Sequence, residues 1–327
     1  MSFLKNVLTF PFTLWVIKGQ MKFQNAFIKS FLAPIVDRFE KSNDGSLSEL
    51  TFKKIKNYYG LGSVVLAGEA IAGLHGERLT RKERKALTCI SAITGLYDDF
   101  FDLSSPDLER IKNLSDIDKE VPNLNTHESL FRALLKIALD NIDDVKTSKR
   151  YAEEVYKQQV ASLRQKRDAL SWKELYDITI LKGGASLLLY RSVFNTGISE
   201  QEAEALFLVG GQLQVCNDIF DVVKDLKEGI NTIGTKAKTI DQLRGLLVKM
   251  DTQNRLKIEA LDLPNTKYFN NRIKFVTSQT YVALDLYEKA TKDTNGEFRP
   301  ESYDSKQITL AMDRPLNFLK AVGKYCS

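Results

Sequence analysis

Aspartates recur at close spacing in two places in this sequence, about 120 residues apart. The first motif spans residues 98–102 (DDFFD) and the second spans residues 217–225 (NDIFDVVKD). Each follows an apolar, helix-like run, where carboxylates are costly unless a metal ion or hydrogen bonds compensate them. Two sets of this kind predict a site that holds several divalent cations around a shared anion.

The first motif places Asp98 and Asp102 four residues apart on one helix face, with Asp99 at its shoulder. Residues 86–97, which precede it, carry no charge, so we expect the carboxylates to face an interior cavity. Three carboxylates on a dry face repel one another, and a divalent cation removes that cost. Oxygen-only ligands favour Mg²⁺ over zinc. The alternative interpretation is a solvated acidic helix end.

The second motif places Asn217, Asp221 and Asp225 at four-residue spacing, which forms a stripe on one helix face. An amide and two carboxylates suit a hard cation that also binds phosphate oxygens. Asp218 lies roughly a quarter-turn away and can join the stripe or support it. Lys224 precedes Asp225, and a lysine there can bind phosphate as a point charge. The alternative is an exposed pattern of charges at helical spacing.

A pair of glycines, Gly183 and Gly184, lies in a strongly helical stretch between the motifs. Each glycine costs roughly 1 kcal/mol relative to alanine inside a helix. The pair therefore predicts a helix break where backbone carbonyls face a cavity, with Lys182 beside it as a candidate contact for an anionic group. The alternative is close helix packing through small residues.

The elements that position these residues are predicted to be helices, because apolar residues recur at helical spacing almost throughout. Ser46 or Ser48, Thr80, Ser171 and Ser199 supply start signals, and residues 104–126 read as a loop. The predicted helices span about 49–75, 81–103, 127–146, 149–170, 172–196, 200–228, 239–261, 266–293 and 303–323. With no linker or repeat, residues 31–327 are predicted to form a single all-α domain of many long helices.

Composition excludes several classes of function. The chain has 327 residues, 43% of them hydrophobic and 27% charged, with a net charge of +5. No basic tract with interleaved aromatics appears, so a nucleic-acid partner is not expected. Three distant cysteines predict neither a disulfide framework nor a zinc site, and a reducing, cytoplasmic location is the default. His75 and His127 are interpreted as incidental surface or helix-end residues.

Residues 1–30 form an apolar segment whose core, Val7 to Ile17, is too short to span a bilayer and is interrupted by Pro11. Two interpretations remain open. The segment packs on the helical body, or it is an interfacial anchor that makes a peripheral membrane contact. On the second interpretation the residues that enter the membrane surface are Phe3, Leu4, Leu8, Phe10, Phe12 and Trp15.

At the two acidic motifs the chain resembles the class I isoprenoid synthases. Residues 98–102 look like the first aspartate-rich motif of that superfamily, and residues 212–221 are similar to the helix that carries its second metal motif. Lys182 and the glycines after it are similar to the Lys-Thr at the helix break of the prenyltransferases. The resemblance covers roughly residues 50–325, and the order and separation of the motifs agree.

The resemblance implies a helical bundle around a deep apolar cavity. It also implies a Mg²⁺-dependent terpene synthase, a carbon–oxygen lyase that ionises a linear prenyl diphosphate and releases diphosphate. Three Mg²⁺ ions are implied, and a homodimer is allowed. The implied ligands are Asp98, Asp99 and Asp102 on one wall, which are also the catalytic residues, and Asn217, Asp221 and Asp225 on the other. The implied diphosphate contacts are Lys182, Lys224, Arg191, Arg314 and Tyr325.

Departures from the family pattern narrow the expectation. The Arg-Arg-Gly that chain-elongating prenyltransferases carry after the first motif is replaced here by residues 103–108 (LSSPDL), which makes head-to-tail elongation doubtful. Asp221 stands where terpene cyclases carry Ser or Thr. Two alternatives stay open: a prenyl-coupling synthase of the squalene/phytoene type, and a non-catalytic helical subunit that binds a prenyl lipid or a catalytic partner.

Overall fold

The computed structural model describes residues 2–103, 105–166, 169–294, 296–303, 308 and 315–326, with side chains for all of these except residues 2–6, 8, 293 and 315. Every regular element in these residues is a helix, which confirms the predicted all-α class.

The first half of the chain forms nine α-helices and three π-helical segments. The α-helices are α1 (Ser2–Phe27), α2 (Ala33–Lys41), α3 (Glu49–Lys54), α4 (Gly60–Ser63), α5 (Glu69–Leu74), α6 (Arg81–Phe101), α7 (Leu108–Ser115), α8 (Thr126–Leu139) and α9 (Val145–Ser162). The π-helical segments are Ile28–Leu32, Ile55–Tyr59 and Val64–Gly68.

The second half adds seven α-helices among the described residues. They are α10 (Trp172–Arg191), α11 (Glu200–Phe220), α12 (Val222–Glu228), α13 (Ile233–Lys236), α14 (Ile240–Glu259), α15 (Thr266–Ala290) and α16 (Pro315–Cys326). Short 3₁₀ turns cover Leu163–Lys166, Thr291–Thr294 and Pro300–Ser302.

The chain divides into two compact units. The amino-terminal unit comprises Trp15–Val160 and Leu189–Ile198, and it contains the first acidic motif. The carboxy-terminal unit comprises Met1–Leu14, Ala161–Leu188 and Ser199–Ser327, and it contains the second. Residues 1–30, predicted as a separate segment, are therefore divided between the two units.

Side chains at the helix starts explain where the helices begin. Thr80 accepts a hydrogen bond from the Glu83 amide while the Glu83 side chain accepts one from the Thr80 amide, which is a capping box before α6. Ser48 and Ser199 accept bonds from the amides three residues ahead of them. Ser171 and Glu174 form the same reciprocal pair at the start of α10. The predicted start signals are confirmed at these positions.

The glycine pair does not break a helix, because α10 continues through it to Arg191. A Cβ added at Gly183 would lie 2.2 Å from the carbonyl oxygen of Gly210, and one added at Gly210 would lie 2.3 Å from that of Gly183. A Cβ added at Gly184 or Gly211 would collide instead with a side chain, that of Phe207 or Ile180 respectively. The predicted break is wrong, and the alternative, close packing of α10 on α11, is what these residues do.

Three further predictions on the helices need correction. The predicted loop over residues 104–126 contains α7, whose start Asp107 caps by accepting a bond from the Arg110 amide. The predicted helix over 49–75 is interrupted by two π-helical segments. The predicted helix over 200–228 ends at Phe220, and α12 leaves it at an angle of 72°.

No single helix in the described part of the chain is both long and apolar enough to cross a membrane. The bent pair α11 and α12 meets that test only when the two are taken together, by length and composition.

The contact between α10 and α11 predicts a large difference between two glycine substitutions. Gly183→Ala is expected to lower the free energy of unfolding by about 1–3 kcal/mol, because its methyl group must displace backbone rather than a flexible side chain. The matched control is Gly245→Ala within α14, where no atom lies within 4 Å of the added Cβ. That change is expected to raise the free energy of unfolding by up to about 1 kcal/mol. Urea denaturation followed by circular dichroism measures both, and equal effects would contradict the close contact.

Candidate functional site

The first motif occupies the carboxyl end of α6. Its two phenylalanines, not its aspartates, face the core: Phe100 is 6% exposed and Phe101 is 4% exposed. Asp99 and Asp102 are exposed and Asp98 is half-buried. The uncharged run before the motif is mostly buried, but the carboxylates of Asp99 and Asp102 are exposed instead of facing an interior cavity.

Aromatic contacts hold the end of α6 in place. Phe100 stacks on the His127 ring at 4.1 Å between centroids, and His127 Nε2 lies 2.8 Å from the carbonyl oxygen of Leu96. Phe101 contacts Tyr97 edge-on at 5.2 Å. These contacts orient the last turn of α6 so that the aspartates between and after the rings point outward.

Asp98 has a specific polar partner in the same unit. The side-chain amide of Gln159, on α9, donates a hydrogen bond to Asp98 Oδ1. Gln159 itself is only 4% exposed, so its amide position is fixed by packing. A buried amide that supports one carboxylate of a motif orients that carboxylate before any ligand arrives.

The second motif lies where α11 ends and α12 begins. Asp221 is the residue at the break, and its backbone amide still donates to the Asn217 carbonyl at 2.9 Å. Because the helix axis turns by 72° there, the predicted stripe does not lie on one straight helix. Asn217 is exposed, Asp221 is half-buried and Asp225 is 6% exposed, so the motif runs from the surface into the unit. The Asn217 side-chain amide donates to Asp221 Oδ2 at 3.2 Å.

Asp218 serves a different purpose from the other acidic residues of the motif. It is 4% exposed, and both of its oxygens accept hydrogen bonds. Thr179 Oγ1, on α10, donates to Oδ2 at 2.8 Å, and Gln214 Nε2 donates to Oδ1 at 2.9 Å. Asp218 therefore links α11 to α10 by a hydrogen bond, and it stabilises the backbone that carries the motif.

Burial and mutual repulsion make these carboxylates reluctant to ionise. Burial raises the pKa of Asp218 to about 6. Burial, together with the charges of Asp218 and Asp221, raises the pKa of Asp225 to about 7. The two lysines predicted to contact diphosphate act in the opposite direction, since Lys182 lowers the pKa of Asp218 and Lys224 lowers that of Asp225. The structure thus brings both lysines close to the acidic residues of the second motif.

Two packing contacts fix the position of the α11 terminus. Tyr287, 1% exposed, donates its hydroxyl to the carbonyl oxygen of Ile219 at 2.6 Å, at a helix end where carbonyls need partners. A Cβ added at Gly234 would lie 2.1 Å from the carbonyl oxygen of Asp218. The backbone that carries the second motif is therefore held from two sides.

The remaining predicted substrate contacts have structural roles or lie outside the described residues. Arg191 is 0% exposed, and its two terminal nitrogens donate to the carbonyls of Thr196 and Gly197 at 3.1 and 2.9 Å. Tyr325 is also 0% exposed, and its ring meets Phe10 edge-on at 5.1 Å. Neither side chain reaches a surface where it could contact diphosphate in this arrangement. Arg314 lies outside the described residues.

The donor chemistry suits a hard cation, but a complete protein cage is not present. Asn217, Asp221 and Asp225 offer the oxygen atoms that Mg²⁺ prefers. Across the described residues, no three His, Cys, Asp or Glu side chains are grouped so that they could hold a metal ion by themselves. A Mg²⁺ ion that keeps waters and shares substrate phosphates needs fewer protein ligands than that. The side chains present therefore offer the oxygen donors that Mg²⁺ prefers, but those described do not make a metal site by themselves.

A cleft of about 390 Å³ in the carboxy-terminal unit lies between α14, α15 and α16. All but one of its lining residues carry a polar or charged group, and none of them is a predicted site residue. The lining residues are Arg244, Val248, Asp251, Lys274, Thr277, Ser278, Tyr281 and Lys324. The deep apolar cavity that the resemblance implies is a different feature from this cleft and stays a prediction.

Sequence reasoning missed several residues that support the motifs. Gln214 lies four residues before Asp218, and that spacing was a signal in the sequence. Gln159, His127, Thr179 and Tyr287 come from other helices, and no local pattern identifies them. His127, interpreted as incidental, is in fact packed against the first motif.

Comparisons with known proteins do not assign the chain to a family. No protein-family model matches it, and a search of curated proteins finds no match to its sequence.

The raised pKa values predict how stability depends on pH. Because the fold favours the protonated forms of Asp218 and Asp225, their contribution is complete below the ordinary pKa of 3.8 and is lost as the pH rises through about 7. In metal-free buffer, Asp225→Asn is expected to flatten this decline and to raise the free energy of unfolding at about pH 8 by on the order of 2 kcal/mol. Urea denaturation across the pH range measures the effect. The control Asp262→Asn removes an exposed carboxylate from the same unit, and a parallel response of the two variants would refute the assignment.

Proposed function

We propose that this protein is a Mg²⁺-dependent enzyme that ionises a linear prenyl diphosphate and releases diphosphate, in the manner of a class I terpene synthase. The resemblance of the two acidic motifs to those of the isoprenoid synthases suggests the reaction. The proposal also agrees with the all-helical architecture, although many unrelated proteins share that class.

The observation that carries the proposal is the arrangement of charges around the end of α11. A half-buried Asp221 lies at the carboxyl end of α11, which disfavours negative charge, and a buried Asp225 lies in the first turn of α12. The pKa of Asp225 is raised to about 7, so a neighbouring cation would relieve a real electrostatic cost. Lys182 and Lys224 interact with the same group of carboxylates, which supplies positive charge for a phosphate. Carboxylates and lysines together are what a metal diphosphate requires.

In this mechanism Asn217, Asp221 and Asp225 of the second motif would hold Mg²⁺, and Asp98, Asp99 and Asp102 of the first motif would hold Mg²⁺ as well. Bound Mg²⁺ supplies the positive charge that stabilises the departing diphosphate. Lys182 and Lys224 bind diphosphate oxygens as point charges. The allylic C–O bond breaks with its electron pair leaving on the diphosphate, and an allylic carbocation remains on the prenyl chain.

The supporting residues keep the ligands in position. Gln159 orients Asp98, and Thr179 together with Gln214 holds Asp218, so that Asp218 stays in the motif without binding metal. Asp218 in turn raises the pKa of Asp225 through its charge, which makes Asp225 respond to a bound cation.

Incubation with prenyl diphosphates of graded chain length tests the reaction itself. We expect release of diphosphate that depends on Mg²⁺, stops on addition of EDTA and returns with excess Mg²⁺. Product analysis by mass spectrometry separates the alternatives, since a product that contains two prenyl units would indicate a coupling synthase. Binding of a prenyl diphosphate without turnover would indicate the non-catalytic subunit and would overturn the enzymatic proposal.

Substitutions in each motif test the assignment of residues. Asp99→Ala and Asn217→Ala are both expected to lower the rate of diphosphate release by at least about 100-fold. Each removes a proposed ligand of the Mg²⁺ whose charge stabilises the leaving diphosphate. Both side chains are exposed, so the fold should survive, which circular dichroism can verify.

The controls Asp140→Asn and Asp262→Asn change acidic residues elsewhere in the amino-terminal and carboxy-terminal units. Wild-type rates in either motif variant would remove that motif from the site.

A further inference from the structure

The first helix, α1, is apolar on two faces, only one of which the protein buries. Phe10 and Ile17 are 7% and 2% exposed, and Thr13 Oγ1 shares a hydrogen bond of 3.4 Å with the Tyr325 hydroxyl. Farther along, Gln24 is 0% exposed and donates to the Gly60 carbonyl and to Thr88. This face explains why α1 is stably packed. It also corrects the prediction that Phe10 enters a membrane, since Phe10 contacts Phe318 and Tyr325 inside the protein.

The other face of α1 exposes large aromatic side chains. Trp15 is 71% exposed, Phe12 is 61% exposed and Phe23 is 59% exposed. At 100° per residue these three positions fall within about 80° of one another around the helix axis. Single exposed apolar residues are ordinary on protein surfaces, but three large aromatics aligned on one helix are not.

Lysines share this face with the aromatics. Lys18 and Lys22 are exposed, and they lie within about 60° of Trp15 around the axis. We call the set Phe12, Trp15, Lys18, Lys22 and Phe23 the basic aromatic face. Residues 1–36 contain four lysines and no acidic residue. The first acidic residue in the chain is Asp37. The lysines of the face therefore have no acidic residue near them on α1 itself.

The combination of charge and aromatic surface favours one kind of partner. Tryptophan and phenylalanine rings gain most at the boundary between lipid headgroups and acyl chains, and lysines beside them reach anionic headgroups. A second copy of the same face, paired symmetrically, would bring Lys18 and Lys22 against their own counterparts, which is unfavourable. Charge complementarity thus selects an anionic lipid surface over self-association.

We propose that the basic aromatic face of α1 docks on the surface of a bilayer that contains anionic lipids. Trp15, Phe12 and Phe23 enter the headgroup region while Lys18 and Lys22 contact anionic headgroups. The helix lies along the surface, because its opposite face remains packed on the protein. The docking is independent of the proposed enzymatic function, and each can fail without the other.

Tryptophan fluorescence provides a direct test, because the chain has only two tryptophans, Trp15 and Trp172. In Trp172→Phe, the emission reports on Trp15 alone. We expect this emission to shift to the blue, and to be quenched by brominated acyl chains, when phosphatidylcholine vesicles containing phosphatidylserine are added. The partition coefficient should be about tenfold or more above that for phosphatidylcholine alone, and it should fall as salt is raised.

Charge variants locate the docking face. Lys18→Gln/Lys22→Gln is expected to reduce partitioning to the level seen with phosphatidylcholine alone. The matched control Lys53→Gln/Lys54→Gln removes two exposed lysines from α3 in the amino-terminal unit and should leave partitioning unchanged. The proposal is overturned by an emission that no vesicle changes, or by equal losses in the two double variants. It is also overturned by a blue shift that grows with protein concentration without vesicles, which would show that a second copy covers the face.

Discussion

The close approach of α10 and α11 is the contact on which the second motif depends. Gly183 and Gly210 bring the two main chains together where any side chain would collide with a carbonyl oxygen. Only at this separation can the short hydroxyl of Thr179 reach Asp218 across the two helices at 2.8 Å. The same approach brings the charge of Lys182 near Asp218. The glycines at this contact therefore determine the electrostatic surroundings of Asp218, two turns farther along α11. They are Gly183, Gly184, Gly210 and Gly211.

Both acidic motifs lie at helix ends, but the burial of their carboxylates differs. The first motif lies at the carboxyl end of α6, where the backbone presents partial negative charge, and the second spans the end of α11 and the first turn of α12. At α6 Asp99 and Asp102 are exposed. At α12 burial, together with the charges of Asp218 and Asp221, raises the pKa of Asp225 to about 7. A protein that keeps such a carboxylate buried pays in stability unless a proton or a cation accompanies it, and this cost is the strongest physical argument for ligand binding at the second motif.

Most of the helices could be predicted from the sequence because their signals are local. Periodic apolar residues identify α6, α14 and α15, and the capping residues Thr80 and Ser199 identify starts to within a residue. The helix α7 was missed because it is only eight residues long and lies in a polar stretch, although Leu108, Ile111 and Leu114 recur at helical spacing. The break at Asp221 was missed because no proline or glycine marks it, and contacts from Tyr287 and Gly234, distant in the sequence, hold the chain there.

The sequence by itself determined the helical class and the positions of the two acidic motifs. It also contained the alternative of small-residue packing at Gly183 that proved correct. Only the tertiary structure decided which carboxylates are buried, that Arg191 and Tyr325 are structural, and which face of α1 is left exposed. The physical reason is that burial and pKa depend on neighbours contributed by remote segments, whereas periodicity and capping depend on residues within one or two turns.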